Sequence, residues 1–97
     1  MAMHNPPHPG AFIREVYIDP LGVSVRQVAE SLGVAASTLN RLLNEQSNVS
    51  PEMALRLSRT LGRSAESWLA MQAQYDLWHA RRAVSLKGVR KLESSPA

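Results

Sequence analysis

The stretch Val25-Arg26-Gln27-Val28-Ala29-Glu30-Ser31-Leu32-Gly33-Val34-Ala35-Ala36-Ser37-Thr38-Leu39-Asn40-Arg41-Leu42-Leu43-Asn44 decides how this chain folds. Ser24, just ahead of it, is a good helix N-cap, and Gln27 three residues later completes a capping box. Val25, Val28, Ala29 and Leu32 then fall at i, i+3, i+4 and i+7, the apolar face of a two-turn helix. Gly33 stops it. A second helix begins near Ala36, with Leu39, Leu42 and Leu43 on its apolar face, and Ser47 and Asn48 mark the loop beyond.

Two short helices joined by a glycine-containing turn of about four residues make a helix-turn-helix. Such a pair crosses steeply, so the first helix needs a small residue at the crossing, and Ala29 stands there. The turn needs a residue that tolerates positive φ, and Gly33 follows four positions later. Val28, Leu32, Leu39 and Leu42 occupy the interior positions that lock the pair. The outer face of the second helix must be small and polar to enter a major groove, and Ser37, Thr38, Asn40 and Arg41 lie there. Arg41 has the bidentate fork that suits guanine, or equally a phosphate. Gln27 sits at a helix N-terminus, where backbone N–H groups favour a phosphate. The candidate DNA-facing set is Gln27, Ala36, Ser37, Thr38, Asn40, Arg41 and Asn44.

Outward from this stretch the chain is helical. Residues 1–8 hold two adjacent prolines and read as an extended arm. Pro9 suits a first helical turn, and Phe12, Ile13, Val16 and Tyr17 give a short helix that Asp19-Pro20-Leu21-Gly22 breaks. Ser50-Pro51 opens a fourth helix carrying Met53, Ala54, Leu57 and Leu61, and Gly62 ends it. Ser64 caps a fifth and longest helix, about 65–82, with neither proline nor glycine inside. Residues 84–97 read as a basic tail, frayed or disordered. The expectation is a compact all-α domain of five helices over residues 9–83.

The fifth helix is apolar on two sides. Ala65, Leu69, Ala73, Leu77 and Ala80 share one face, and Trp68, Met71, Tyr75 and Trp78 share the roughly opposite one. The first is expected to meet the core and the second, aromatic one to meet a partner, either a second copy or another protein.

The 97 residues suffice for one domain, and a 44% hydrophobic content argues against overall disorder. No apolar run reaches the ~18 residues of a membrane span, and no secretory leader is visible. The chain has no cysteine, which excludes disulfides and thiolate metal sites and fits the cytoplasm. The net charge of +3 is unevenly placed: residues 1–78 sum to −1 and residues 79–97 to +4. The tail can therefore add phosphate affinity without sequence information. His4 and His8 are spaced i, i+4, but the intervening prolines forbid the helix that would converge them, so with His79 they give no metal site. No cofactor motif or catalytic constellation is present, and an enzyme is not expected.

The stretch resembles the Cro/repressor-type, XRE-like helix-turn-helix domain, and the chain as a whole resembles the HigA-type antitoxins of bacterial toxin–antitoxin operons. The resemblance rests on His8-Pro9-Gly10, Leu21-Gly22, Leu39-Asn40-Arg41-Leu42-Leu43-Asn44 and Ser50-Pro51-Glu52-Met53-Ala54-Leu55-Arg56-Leu57. Ser67-Trp68-Leu69-Ala70-Met71-Gln72 and Tyr75-Asp76-Leu77-Trp78 extend it over roughly residues 8–82. It implies double-stranded DNA binding at the protein's own operator, repressing its own operon, and neutralisation of a cognate HigB-type toxin, a small RelE-like ribonuclease; the expected state is a homodimer on a palindromic operator. The chain departs from the family pattern at Ala11, where relatives usually carry Glu, and at Ala35, where they favour a Ser or Thr cap. At Glu45-Gln46 relatives often have Gly followed by a basic residue. Two other readings meet the same residues: a stand-alone or phage-type Cro/repressor-like regulator without a toxin, and a protein–protein adaptor that works through the fifth helix.

Overall fold

The computed structural model describes residues 5–93. The start of the expected arm, with His4, and the last four tail residues lie outside the described residues. Every regular element among them is helical. Three abutting segments form the first helix, α1: Pro9–Ile13, a π-helical turn Arg14–Ile18, and Asp19–Leu21. Then come α2 (Val25–Leu32), α3 (Ala36–Leu43), α4 (Pro51–Leu61) and α5 (Ala65–Ala83).

The start of α1 has two causes. Pro9 fixes the first helical φ, and the His8 side chain caps the helix, its Nδ1 accepting the Gly10 N–H at 2.9 Å. The break expected over Asp19-Pro20-Leu21-Gly22 comes only at its end, at Gly22. Asp19 N–H reaches back five residues to the Arg14 carbonyl, and the widened turn accommodates the proline ring, so the helix runs on to Gly22 at φ 65°. The extra residue in that turn also shifts the apolar register. Ile13 is buried as the spacing predicts, but Val16 is 45% exposed and Ile18 takes the inward place.

The core gathers Ile13, Ile18, Val28, Ala29, Leu32, Leu39, Leu42, Leu43, Val49, Ala54, Leu57, Trp68 and Met71. α2 packs on α3 and α4, α1 packs on α3, and α5 lies across α4 and α1. Gly10 is the close approach: a Cβ there would overlap the Leu42 carbonyl oxygen and lie 3.0 Å from the Leu43 Cα. Only glycine lets α1 rest backbone to backbone on the end of α3.

The face of α5 that meets the core is not the one expected. Trp68 is fully buried, Met71 and Gln72 are buried, and Ala65 and Leu69 flank them, while Ala73, Leu77 and Ala80 are exposed. The polar Gln72 hides the inward stripe from a count of apolar residues. Its Oε1 accepts the Val49 N–H at 2.8 Å, and its Nε2 donates to Asn48 at 3.1 Å and Asp76 at 3.0 Å. A glutamine with these partners is satisfied in the interior. It ties the α3–α4 loop to α5. Trp68 is satisfied likewise, its indole N–H donating to the Gly62 carbonyl at 2.9 Å.

Beyond α5, residues 84–93 are exposed and carry a single turn at Lys87-Gly88.

A candidate nucleic-acid interface on the third helix

The helix-turn-helix is built by matched helix ends. At the start of α2, Ser24 Oγ accepts the Gln27 N–H at 3.0 Å and Gln27 Oε1 accepts the Ser24 N–H at 2.8 Å. At its end, Val34 N–H bonds the Ala29 carbonyl and Gly33 N–H bonds Glu30, a Schellman closure with Gly33 at φ 74°. α3 closes in the same way. Gln46 N–H bonds the Arg41 carbonyl at 2.8 Å, and Glu45 N–H bonds Leu42 at 3.0 Å. The left-handed position there is Glu45, at φ 61°, where a side chain costs about 1–2 kcal/mol. The start of α3 is also unassisted. Ala35 has the extended backbone of an N-cap but no side chain to accept an N–H.

α3 turns Leu39, Leu42 and Leu43 inward. Ala36, Ser37, Asn40, Arg41 and Asn44 are exposed, and Thr38 is half-buried. At 3.6 residues per turn these six positions span an arc of a little over half the helix. Arg41 has no ion-pair partner among the described residues. Gln27 is exposed at the N-terminal turn of α2, its carbonyl oxygen committed to the capping box. All seven DNA-facing candidates thus lie on the helix-turn-helix, six on or at the end of α3 and one on α2.

The four partner-facing candidates divide. Trp68 and Met71 are buried in the core of their own chain, Trp68 completely, which corrects the expectation that both face a partner. Tyr75 is half-buried between two histidines, its ring centroid 4.8 Å from His8 and 4.3 Å from His79. Its hydroxyl donates to Glu45 Oε1 at 3.3 Å. Burial, and then the Glu45 carboxylate, push the phenol above its ordinary pKa. Trp78 packs against its own helix, with the Arg82 guanidinium 4.3 Å over its ring. Leu77 beside it is 51% exposed.

His8 is buried, and burial is the main cause that lowers its pKa, against opposing effects of Glu45, the Ser47 backbone and Asp76. Its Nε2 has no hydrogen-bond partner of good geometry. Among the described residues no group of three or more His, Asp or Glu is placed to hold a metal ion. No helix there is long and apolar enough to cross a membrane.

Residues 13–68 match the helix-turn-helix family. The chain is 44% identical over 70 residues to Virulence-associated protein I of Dichelobacter nodosus, covering 72% of this chain and 65% of that protein. Among solved structures, antitoxin GraA in complex with its operator superposes with a TM-score of 0.81 at 35% identity, over 100% of this chain and 98% of that one. Pseudomonas aeruginosa antitoxin HigA with the higBA promoter gives 0.80 at 33% identity, over 91% and 96%. The chain belongs to the Cro/repressor-type helix-turn-helix family, in its HigA-like branch.

Within that branch the two departures at the ends of α3 have structural addresses. Ala35 leaves the first turn uncapped, and Glu45 occupies the left-handed position that a glycine would fill without strain. Sequence reasoning missed the residues that hold α3 from outside. Gly10 shows its role only where α1 meets the backbone at the end of α3. Arg56 and Glu52, at i, i+4 on α4, look in sequence like a solvent-exposed pair, yet the Arg56 guanidinium reaches the turn after α2.

Proposed function

We propose that this chain is a DNA-binding repressor of the antitoxin type. α3 enters the major groove, with Arg41, Asn40 and Ser37 facing base edges and Ala36, Thr38 and Asn44 against base methyls or the sugar-phosphate. Gln27 and the free N–H groups of α2 receive a phosphate. The observation that carries this reading is the exposed arc of α3: small, polar and crowned by an arginine with no ion-pair partner among the described residues, in a chain that superposes on antitoxins solved with operator and promoter DNA. Two copies, joined through the C-terminal half of α5 with Leu77 and Trp78 at the contact, would present two recognition helices about 34 Å apart to a palindrome. The basic tail adds affinity that does not depend on sequence. The antitoxin role adds a protein partner, a RelE/HigB-like ribonuclease toxin, whose inhibition the chain performs while repressing its own operon.

Fluorescence anisotropy at fixed salt, with DNA from upstream of the chain's own gene against a scrambled duplex, tests the repressor half. Equal affinity for both refutes it. Co-expression with the product of the adjacent reading frame tests the antitoxin half. A toxic neighbour whose growth arrest is not relieved by this chain refutes that.

A further inference from the structure

Arg56 belongs to α4, outside the helix-turn-helix, but its guanidinium holds the turn between α2 and α3. Nη1 donates to the Leu32 carbonyl at 2.8 Å and to the Gly33 carbonyl at 3.2 Å. Nε and Nη2 both donate to Glu52 Oε2, at 3.2 and 3.0 Å. One turn further along α4, Thr60 Oγ1 donates to the Ser31 carbonyl at 3.1 Å. Three successive carbonyls, Ser31, Leu32 and Gly33, are therefore gripped from α4. These are groups a helix end otherwise leaves unpaired, at the negative end of its dipole, where a guanidinium is favoured. The ion pair alone does not account for the arrangement. The Glu52 side chain is 76% exposed and the Arg56 side chain 38%, and pairs that open to water contribute little. Glu52 aims the guanidinium, and the carbonyls are what it is aimed at.

The grip falls where α3 needs it. α3 starts three residues after Gly33, and its N-cap, Ala35, makes no side-chain bond. On the α3 side the first turn is held by the buried Leu39 but by no side-chain cap, so the direction in which α3 leaves the turn depends also on what fixes Leu32 and Gly33. We infer that Arg56, seconded by Thr60, is the positioning residue for the DNA-reading helix: by clamping the last turn of α2 to α4 it sets the angle at which α3 meets the groove. The inference rests on the proposed DNA-binding role for its consequence and on the local hydrogen bonds for its cause, and each is measured separately.

The variants are Arg56→Gln, the charge-neutral Thr60→Val, and Arg56→Gln combined with Ala35→Ser. Each is titrated with operator and with scrambled duplex at a temperature where circular dichroism shows it folded. Arg56→Gln lowers operator affinity about tenfold, as losing one base contact would, with a smaller loss on scrambled DNA. Thr60→Val lowers it about threefold, the weight of one neutral bond. Ala35→Ser, which supplies the missing cap, restores most of the loss. Equal losses on both duplexes overturn the inference, because Arg56 then acts only as a charge near phosphate. Unchanged operator affinity overturns it too. Should Arg56→Gln not fold, Thr60→Val carries the same test.

Amide exchange provides the arm that is independent of DNA. The Thr38 and Leu39 N–H groups, both bonded to the Ala35 carbonyl, exchange faster in the variants relative to amides of α4 and α5. Parallel changes everywhere mean general destabilisation and overturn the clamp. If the wild-type chain shows no preference for operator, the functional reading fails while the exchange result still decides whether the clamp exists.

Discussion

Replacing Gly10 with alanine adds one methyl at the point where α1 rests on the end of α3. That methyl would overlap the Leu42 carbonyl oxygen, lie 2.8 Å from the Leu42 carbonyl carbon and 3.0 Å from the Leu43 Cα. All three are backbone atoms, so no side chain can swing aside and one helix must move. Overpacking in a tight interior costs about 1–3 kcal/mol, and a backbone-to-backbone clash belongs at the top of that range. Alanine recovers about 1 kcal/mol of helix propensity over glycine. The expected net loss is about 2 kcal/mol, which for a domain of this size lowers Tm by about 8–16 °C. Displacement of α1 would also disturb the C-terminal turn of α3, so on the proposed DNA-binding role operator affinity should fall with stability. The assay is a thermal melt by circular dichroism at fixed protein concentration, since association shifts Tm by mass action. Gly88→Ala is the control: a methyl there meets nothing within 4 Å and should change stability by no more than about 0.5 kcal/mol. A Gly10→Ala protein that melts at or above the wild-type temperature refutes the backbone contact.

Arg41→Ala is expected to weaken operator binding by about 1–3 kcal/mol without loss of fold; unchanged affinity in a fixed-salt titration removes Arg41 from the interface. His8 is held neutral by burial and by its cap to Gly10, so the unfolded chain takes up the proton first as pH falls below about 6.5. Stability from this group is complete above that pH and is lost on going down through it to the lowered folded value. His8→Asn keeps an acceptor for the cap and should flatten denaturation midpoints between pH 7.5 and 5; a profile as steep as wild type would count against His8 as the source. Trp78→Ala is expected to weaken self-association and, through it, binding to a two-half-site operator. Analytical ultracentrifugation showing a folded Trp78→Ala dimer of unchanged affinity would take the C-terminal half of α5 out of the contact.

The helix-turn-helix was legible because its signals are local. The Ser24–Gln27 capping box, the Gly33 turn and the 3.6-residue spacing of Val28, Leu32, Leu39 and Leu42 each act within a few residues. What was not legible depends on tertiary partners. The π turn before Pro20 moves Ile18 inward in place of Val16, and no periodicity announces a one-residue insertion. The inward stripe of α5 passes through Gln72, whose burial is favourable only because Val49, Asn48 and Asp76 are there to bond it. Counting that glutamine as an outside residue reverses the helix, and with it the assignment of Trp68 and Met71. In the candidate interface the exposed set on α3 follows from the helical period. The clamp by Arg56 and Thr60 joins residues 23 to 29 positions apart and leaves no trace in spacing.

The helix proposed to read DNA, α3, is therefore held by its surroundings more than by its own ends. Its first turn lacks a cap worth about 1 kcal/mol, and its last turn is followed by a left-handed Glu45 at about 1–2 kcal/mol. Each weak end has an external hold beside it. Arg56 and Thr60 grip the turn ahead of α3. Behind it, α1 rests on Leu42 and Leu43 through Gly10, Tyr75 bonds Glu45, and Gln72 fastens the loop at Val49. The arrangement leaves the outward side chains of α3 free of structural duty: none of Ser37, Asn40 or Arg41 has a side-chain bond to the rest of the chain among the described residues. Substitutions on that face should then change which DNA is bound with little effect on stability. Substitutions at Gly10, Arg56, Thr60 or Gln72, none of them on α3, should change how well any operator is read. The two classes are separable by comparing ΔΔG of unfolding with ΔΔG of binding: face residues fall near the binding axis and holding residues off it. A face substitution such as Asn40→Ala that costs as much stability as affinity would show that α3 contributes to its own support after all.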